Sequence, residues 1–172
     1  MDFFDVIRTR RSIRRFDDRP VEEEKLNAIL EAANAAPSAG NLQAFEIYLL
    51  RDQPALIRLA GVIGNMDFFS EAKAVLVFCT NPDRSVLRYS DRGRTLYALQ
   101  DATIACTHAM LAATALGLSS VWVGAFEEQA VAEALSLPAS FRPVALLPIG
   151  YPGETVEPRS RRALKELVHS VK

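Results

Sequence analysis

Apolar residues recur along the chain with two periods. Residues 3–9 place Phe3, Phe4, Val6 and Ile7 at mixed helical spacing, which predicts a short first helix. Leu26, Ile29, Leu30 and Ala33 fall at i, i+3, i+4 and i+7. Glu22, Glu23 and Glu24 precede them, where carboxylates offset the positive end of a helix dipole, and Pro37 ends the pattern. Shorter helical stretches are expected over residues 55–62 and from 127 or 128 to about 135. Residues 95–116 are apolar almost all round, as in a helix at the centre of a domain or a dimer interface, with Gly117 as its C-cap. Strands are read at 45–50, within 119–126, a short strand that ends in a glycine loop, and at 74–79, whose continuous apolar run predicts a place inside the sheet. Residues 141–150 form a last core strand that Pro143 and Pro148 assign to an edge or a bend. Residues 10–20, 36–43 and 81–94 read as polar loops and 64–69 as an irregular piece. The tail from Pro152 is polar and basic.

Helices and strands mix without strict βαβ alternation, and 172 residues suit one domain over 1–172 of the α+β class. Twenty basic and 21 acidic side chains give a net charge of −1, so the summed charge draws the chain to neither nucleic acid nor an anionic membrane, and any basic function is local. No apolar run is long enough to span a membrane, and the N-terminus lacks the features of a signal peptide, so a cytoplasmic protein is expected. Cys79 and Cys106 lie in apolar surroundings and read as core thiols; two histidines without a ligand motif give no metal site. Neither a G-x-G-x-x-G nor a G-x-x-x-x-G-K-[ST] phosphate loop is present.

Five arginines fall between Arg8 and Arg15. Taken alone this arm is either a solvated connector or an anion site, since guanidinium forks pair with phosphate bidentately and Ser12 adds a hydroxyl. A second basic cluster, Arg159, Arg161 and Arg162, lies near the C-terminus. Between them run Ala36-Pro37-Ser38-Ala39-Gly40-Asn41-Leu42-Gln43 and Gly117-Leu118 to Trp122-Val123-Gly124-Ala125-Phe126, followed by Gly150-Tyr151-Pro152. Each is an ordinary turn or strand by itself. Together, and in this order, they resemble the nitroreductase family of FMN-dependent NAD(P)H oxidoreductases over nearly the whole chain.

That resemblance implies a central, mostly antiparallel sheet flanked by helices, and a homodimer whose C-terminal segment wraps the partner and whose two FMN sites lie at the interface. It implies that Arg10, Arg11 and Ser12, with Arg159 and Arg161, meet the FMN phosphate and ribityl end. Arg14 would face the pyrimidine side and Asn65 the ring edge. Pro37, Ser38 and Asn41 would reach the cofactor of the other subunit, and Gly124 and Ala125 would approach N5. Two departures stand out: Gln43-Ala44-Phe45 where the family commonly has Gln-Pro-Trp, and a short middle without the helical insertions of longer members. A flavin carries hydride chemistry itself, so no catalytic side chain is required, and Arg14 would only tune the flavin. The expected turnover is ping-pong, from NADH or NADPH to a nitroaromatic, quinone or similar electron-poor acceptor. Phe68, Phe69 and Phe126 are candidate walls of the substrate slot. Alternatives are a relative that dehalogenates or fragments flavin, a non-catalytic FMN storage or sensing protein, and a basic-armed nucleic-acid module.

Overall fold

The computed structural model describes residues 1–64 and 66–171. The elements run α1 (Phe3–Thr9), α2 (Glu23–Asn34), β1 (Phe45–Leu50), α3 (Gln53–Val62), α4 (Phe68–Glu71), β2 (Ala74–Thr80), α5 (Asp83–Arg92), α6 (Ala98–Ala115), β3 (Ser119–Ser120), α7 (Glu128–Ala134) and β4 (Arg142–Gly150). The four strands form one antiparallel sheet in the order β1-β2-β4-β3, covered by helices on both faces. This is the expected α+β architecture.

The side chains of β2 explain why its apolar run is unbroken. Leu76 and Phe78 point toward α2 and α6, where Leu26, Ile29, Ala102, Ala105 and Ala109 meet them. Val75, Val77 and Cys79 point the other way, onto Leu56, Leu59, Phe69 and Val131. Each residue of β2 thus has a dry partner, which is the condition under which strand alternation disappears. Alanines along α6 (Ala98, Ala102, Ala105, Ala109, Ala113) are wholly buried, and their small side chains let the helix close on the sheet and on α2.

Both cysteines are free and buried; desolvation raises the Cys79 thiol to about 12 and raises that of Cys106 as well, so both stay protonated. No described helix is long and apolar enough to cross a membrane, and the described residues hold no cluster of metal-ligating side chains.

Four sequence expectations are corrected. Residues 81–94 are not a loop: α5 occupies most of them and passes through a π-helical turn, Gly93–Tyr97, into α6. Here Ser85 and Gly93 do the packing instead of apolar residues, the serine being wholly buried and a Cβ on Gly93 meeting the Ser85 carbonyl oxygen at 2.7 Å. β4 is not an edge strand but lies between β2 and β3. It tolerates Pro143 beside a bulge in its pairing with β2, and Pro148 where the neighbouring chain has pulled away between its contacts at Ser120 and Val123. The strand expected over 119–126 shrinks to Ser119–Ser120 plus a bridge from Val123 to Leu146. The irregular piece contains the start of a helical turn, α4.

Candidate functional site

The arginine arm is held as a strand-like ribbon against the β3 side of the sheet. Ser12 bridges Ser120 in parallel, and the Ile13 N–H donates to the Ser120 carbonyl at 3.2 Å. Three residues on, Phe16 bridges Pro152, the Gly153 N–H donates to the Arg15 carbonyl at 2.8 Å, and the Asp17 N–H donates to that of Tyr151 at 3.0 Å. Ile13 and Phe16 are buried, which turns the intervening Arg14 and Arg15 outward. The Glu154 carboxylate accepts from the Arg14 N–H at 2.6 Å. The ribbon therefore anchors the start of the C-terminal tail beside the arm, although about 140 residues separate them in sequence.

A cavity of about 540 Å³ lies between arm and tail, lined by Arg8, Arg10, Arg11, Ser12, Arg14, Arg159 and Arg161, with Ile7, Val156, Glu157 and Pro158. Arg8 pairs with Asp5, and Arg11 donates to the carbonyls of Arg8 and Arg10 at 2.7 and 2.9 Å, where the dipole of α1 ends. Arg10 is the strained member. Burial, and then the nearby charges of Arg161 and Arg11, depress its pKa below the ordinary guanidinium value. Six guanidiniums facing one carboxylate, Glu157, form a donor set that fits a phosphate group and would hold its charge by bidentate hydrogen bonds. Arg162 points elsewhere, toward the Glu166 carbonyl and carboxylate.

A second cavity, of about 330 Å³, opens on the other side of Arg14 and is lined by Met66, Phe68, Trp122, Val123, Gly124 and Ala125. Gly124 and Ala125 also line a third, of about 450 Å³, with Phe126, Val62, Ile63, Gly64 and Glu127. Arg14 is thus shared by the phosphate-sized cavity and the apolar one, and Gly124–Ala125 forms a shelf shared by the second and third. Phe68 and Phe126 are half-buried and line these cavities. Phe69 is corrected: with no exposed surface it belongs to the core, backing Phe68 at a ring-centroid distance of 5.0 Å. Asn65 lies outside the described residues.

Sequence reading missed several lining residues. Val156, Glu157 and Pro158 lie within the tail read only as polar and basic. Trp122 had a usable signal, because residues two apart in an extended chain share a side, which puts it with Gly124.

The loop containing Pro37, Ser38 and Asn41 is not brought to this cavity. Its hinge is Asp101, a carboxylate only 2% exposed, which accepts from the Ala39 N–H at 2.9 Å and the Ala44 N–H at 3.1 Å. The Ser38 hydroxyl accepts from the Gln43 N–H at 3.0 Å. Gly40, Asn41 and Gln43 all have positive φ, so the loop is tightly coiled, and Gly40 lies where a Cβ would be 2.5 Å from the Tyr89 hydroxyl. The loop enters β1 at Phe45, opposite Thr80 and, through it, Arg142 at the start of β4. The arginine arm meets β3 opposite Ile149 and Gly150, at the far end of β4. Loop and arm therefore occupy diagonally opposed corners of the sheet. Along α6, Asp101 holds the loop, while Thr114 lines a cleft with Arg10 and Arg11, an axial separation of roughly 20 Å at about 1.5 Å per residue.

Comparison with known proteins bears on what such a site belongs to. The sequence profile of the nitroreductase family matches residues 7–66 and 60–151. The chain belongs to the nitroreductase family. Among curated members, an FMN reductase [NAD(P)H] of Bacillus subtilis is 30% identical over 172 residues, covering 92% of this chain and 69% of its own. Nitroreductase A of Vibrio parahaemolyticus superposes with a TM-score of 0.91 at 29% identity, over 100% of this chain and 77% of that one. The NADPH:FMN oxidoreductase of Vibrio harveyi, solved in complex with NAD+, gives 0.90 at 28% identity, over 99% and 77%. In each of these three the match spans more than nine-tenths of this chain and about seven- to eight-tenths of the relative.

Proposed function

We propose that the chain is an NAD(P)H-dependent flavin oxidoreductase that works as a cytoplasmic homodimer, with one FMN-binding domain per chain, on nitroaromatic, quinone or similar electron-poor acceptors. Membership of the family supports FMN as cofactor and NADH or NADPH as reductant. The observation that carries the reading is the position of Arg14, which lines both the arginine cavity and the apolar one beside the Gly124–Ala125 shelf. That arrangement supports a cofactor with a phosphate at one end and a flat ring at the other.

When bound, FMN supplies hydride transfer at its N5. Arg10, Arg11, Ser12, Arg159 and Arg161 would hold the phosphate, and Arg14, which lines the apolar cavity as well, would supply a fixed positive charge to the ring. The backbone at Gly124 and Ala125 would lie against the ring, and Phe68 and Phe126 would flank the slot for reductant and acceptor. Pro37, Ser38 and Asn41 serve the partner's cofactor, a reading supported by their distance from the arm of their own chain. In the same dimer the exposed tail, with Leu164, Leu167 and Val168 facing solvent, wraps the partner.

Anaerobic titration of the FMN-loaded protein with NADH and with NADPH is the direct test. Bleaching of the flavin band by either, followed by recovery on adding a quinone or nitroaromatic, is the expected result; a protein that binds no FMN, or whose flavin neither nicotinamide bleaches, refutes the reading. Arg14→Ala is expected to keep FMN but lower its potential, measured by equilibration against a reference dye, and an unchanged potential would remove the charge role given to Arg14.

A further inference from the structure

A second arginine cluster lies outside the cofactor cavity, on α5 and the π-helical turn after it. Arg84, Arg88, Arg92 and Arg94 are exposed, and among the described residues none of them is in an ion pair. Asp83 and Asp91 are the acidic residues of the same stretch, and Asp83 is engaged by the Ser140 hydroxyl at 3.0 Å. Two tyrosines join the cluster. The rings of Tyr89 and Tyr97 meet edge to face at 5.0 Å, the Arg88 guanidinium lies 5.4 Å from the Tyr89 ring centre, and Arg92 lies 5.4 Å from that of Tyr97 while donating to its hydroxyl at 3.0 Å.

The cluster is built onto the loop that carries Ser38 and Asn41. Arg84 donates to the Leu42 carbonyl at 2.8 Å, and Arg88 reaches the Gly40 carbonyl at 3.5 Å. Backbone geometry here is costly for its surroundings: Ser90 has φ 50° and ψ −137°, an arrangement that an L-residue rarely adopts, and the helix then widens into the π turn. Like charges that repel one another on a kinked helix are a poor device for stability and a good one for meeting an anion.

We propose that Arg88 and Arg92, with the Tyr89–Tyr97 pair, receive the adenosine 2′-phosphate end of NADPH and so make the chain select NADPH over NADH. The inference rests on the proposed function, in which the Ser38 loop adjoins the partner's cofactor; an adenosine extending from that slot then lies next to α5 of the chain that supplies the loop. Aromatic faces suit the adenine, and guanidinium forks suit a phosphate dianion that NADH lacks.

The test uses the FMN-loaded protein and two readouts. In calorimetry, adenosine 2′,5′-bisphosphate is expected to bind about tenfold or more tighter than 5′-AMP, the worth of one charge-assisted contact, and Arg88→Ala with Arg92→Ala is expected to abolish that difference. The ratio of kcat/KM for NADPH to that for NADH is expected to fall by a similar factor in the same variant, through KM, and to be restored in part by lysine at both positions. Equal binding of the two nucleotides, a preference untouched by the double substitution, or competition by inorganic phosphate as strong as that of the bisphosphate overturns the assignment. Failure of the flavin to bleach with either nicotinamide strikes the proposed function instead, and the calorimetry still decides the arginine assignment.

Discussion

Arg10→Ala combined with Arg161→Ala is expected to weaken FMN binding by roughly 10²–10⁴-fold, because each charge-assisted hydrogen bond to phosphate contributes about 1.5–3 kcal/mol. The physical ground is that both guanidiniums line the same cavity and that Arg10 is already depressed in pKa by burial and by Arg161. That depression carries a sign. A group whose charged form is disfavoured in the folded state opposes folding, so the apo double variant should melt no lower than the apo parent, and higher if anything. Flavin fluorescence titration together with apo melting curves separates the two effects. Loss of affinity accompanied by a collapsed apo protein would mean that these arginines are scaffolding, not a phosphate clamp.

The second large effect is expected at Asp101. Asp101→Ala leaves the amides of Ala39 and Ala44 without their acceptor in a dry setting, at about 1–3 kcal/mol for each orphaned donor. A total of about 2–6 kcal/mol corresponds to a fall in melting temperature of roughly 4–24 °C for a chain of this size. The Ser38 loop should loosen first, so hydrogen exchange at residues 38–44 is expected to accelerate more than in β2. Asp101→Asn, which keeps one good acceptor, should lose about half as much. An alanine variant that melts with the parent would show that the loop is held by Arg84 and Tyr89 instead.

What was legible in the sequence follows from how each element is stabilised. α2 and β2 announced themselves because apolar burial holds them, and burial leaves a period. α5 did not, because its buried contacts are a serine against a glycine and its Leu87 is 94% exposed. A period-based reading sees such a stretch as loop. For β4 the prolines left an edge or a bend open; the edge fails because the neighbouring chain leaves the ladder beside Pro148, whereas the irregular pairing beside Pro143 agrees with the other alternative.

The candidate site divides the same way. Arg10, Arg11, Ser12 and Arg14 are close in sequence and could be seen together; their union with Arg159 and Arg161 was implied by the family resemblance alone, because the bridge between Phe16 and Pro152 that brings the tail beside the arm is a contact no local pattern encodes. Phe69 looked like its neighbour Phe68, and only the fold shows that α4 turns one ring to the cavity and the other to the core. Asp101 gives no local signal in the sequence, since it is one polar residue in a helix that is apolar almost all round.

The diagonal placement of arm and loop has a genetic corollary. In the proposed dimer each cofactor draws its phosphate clamp from one chain and its covering loop from the other, so defects in the two corners belong to different halves of a pocket. Carried on separate chains, a clamp lesion and a loop lesion fall on the same pocket in a mixed dimer and leave its twin intact. Carried on one chain, they spoil one half of each pocket, whichever healthy partner that chain meets.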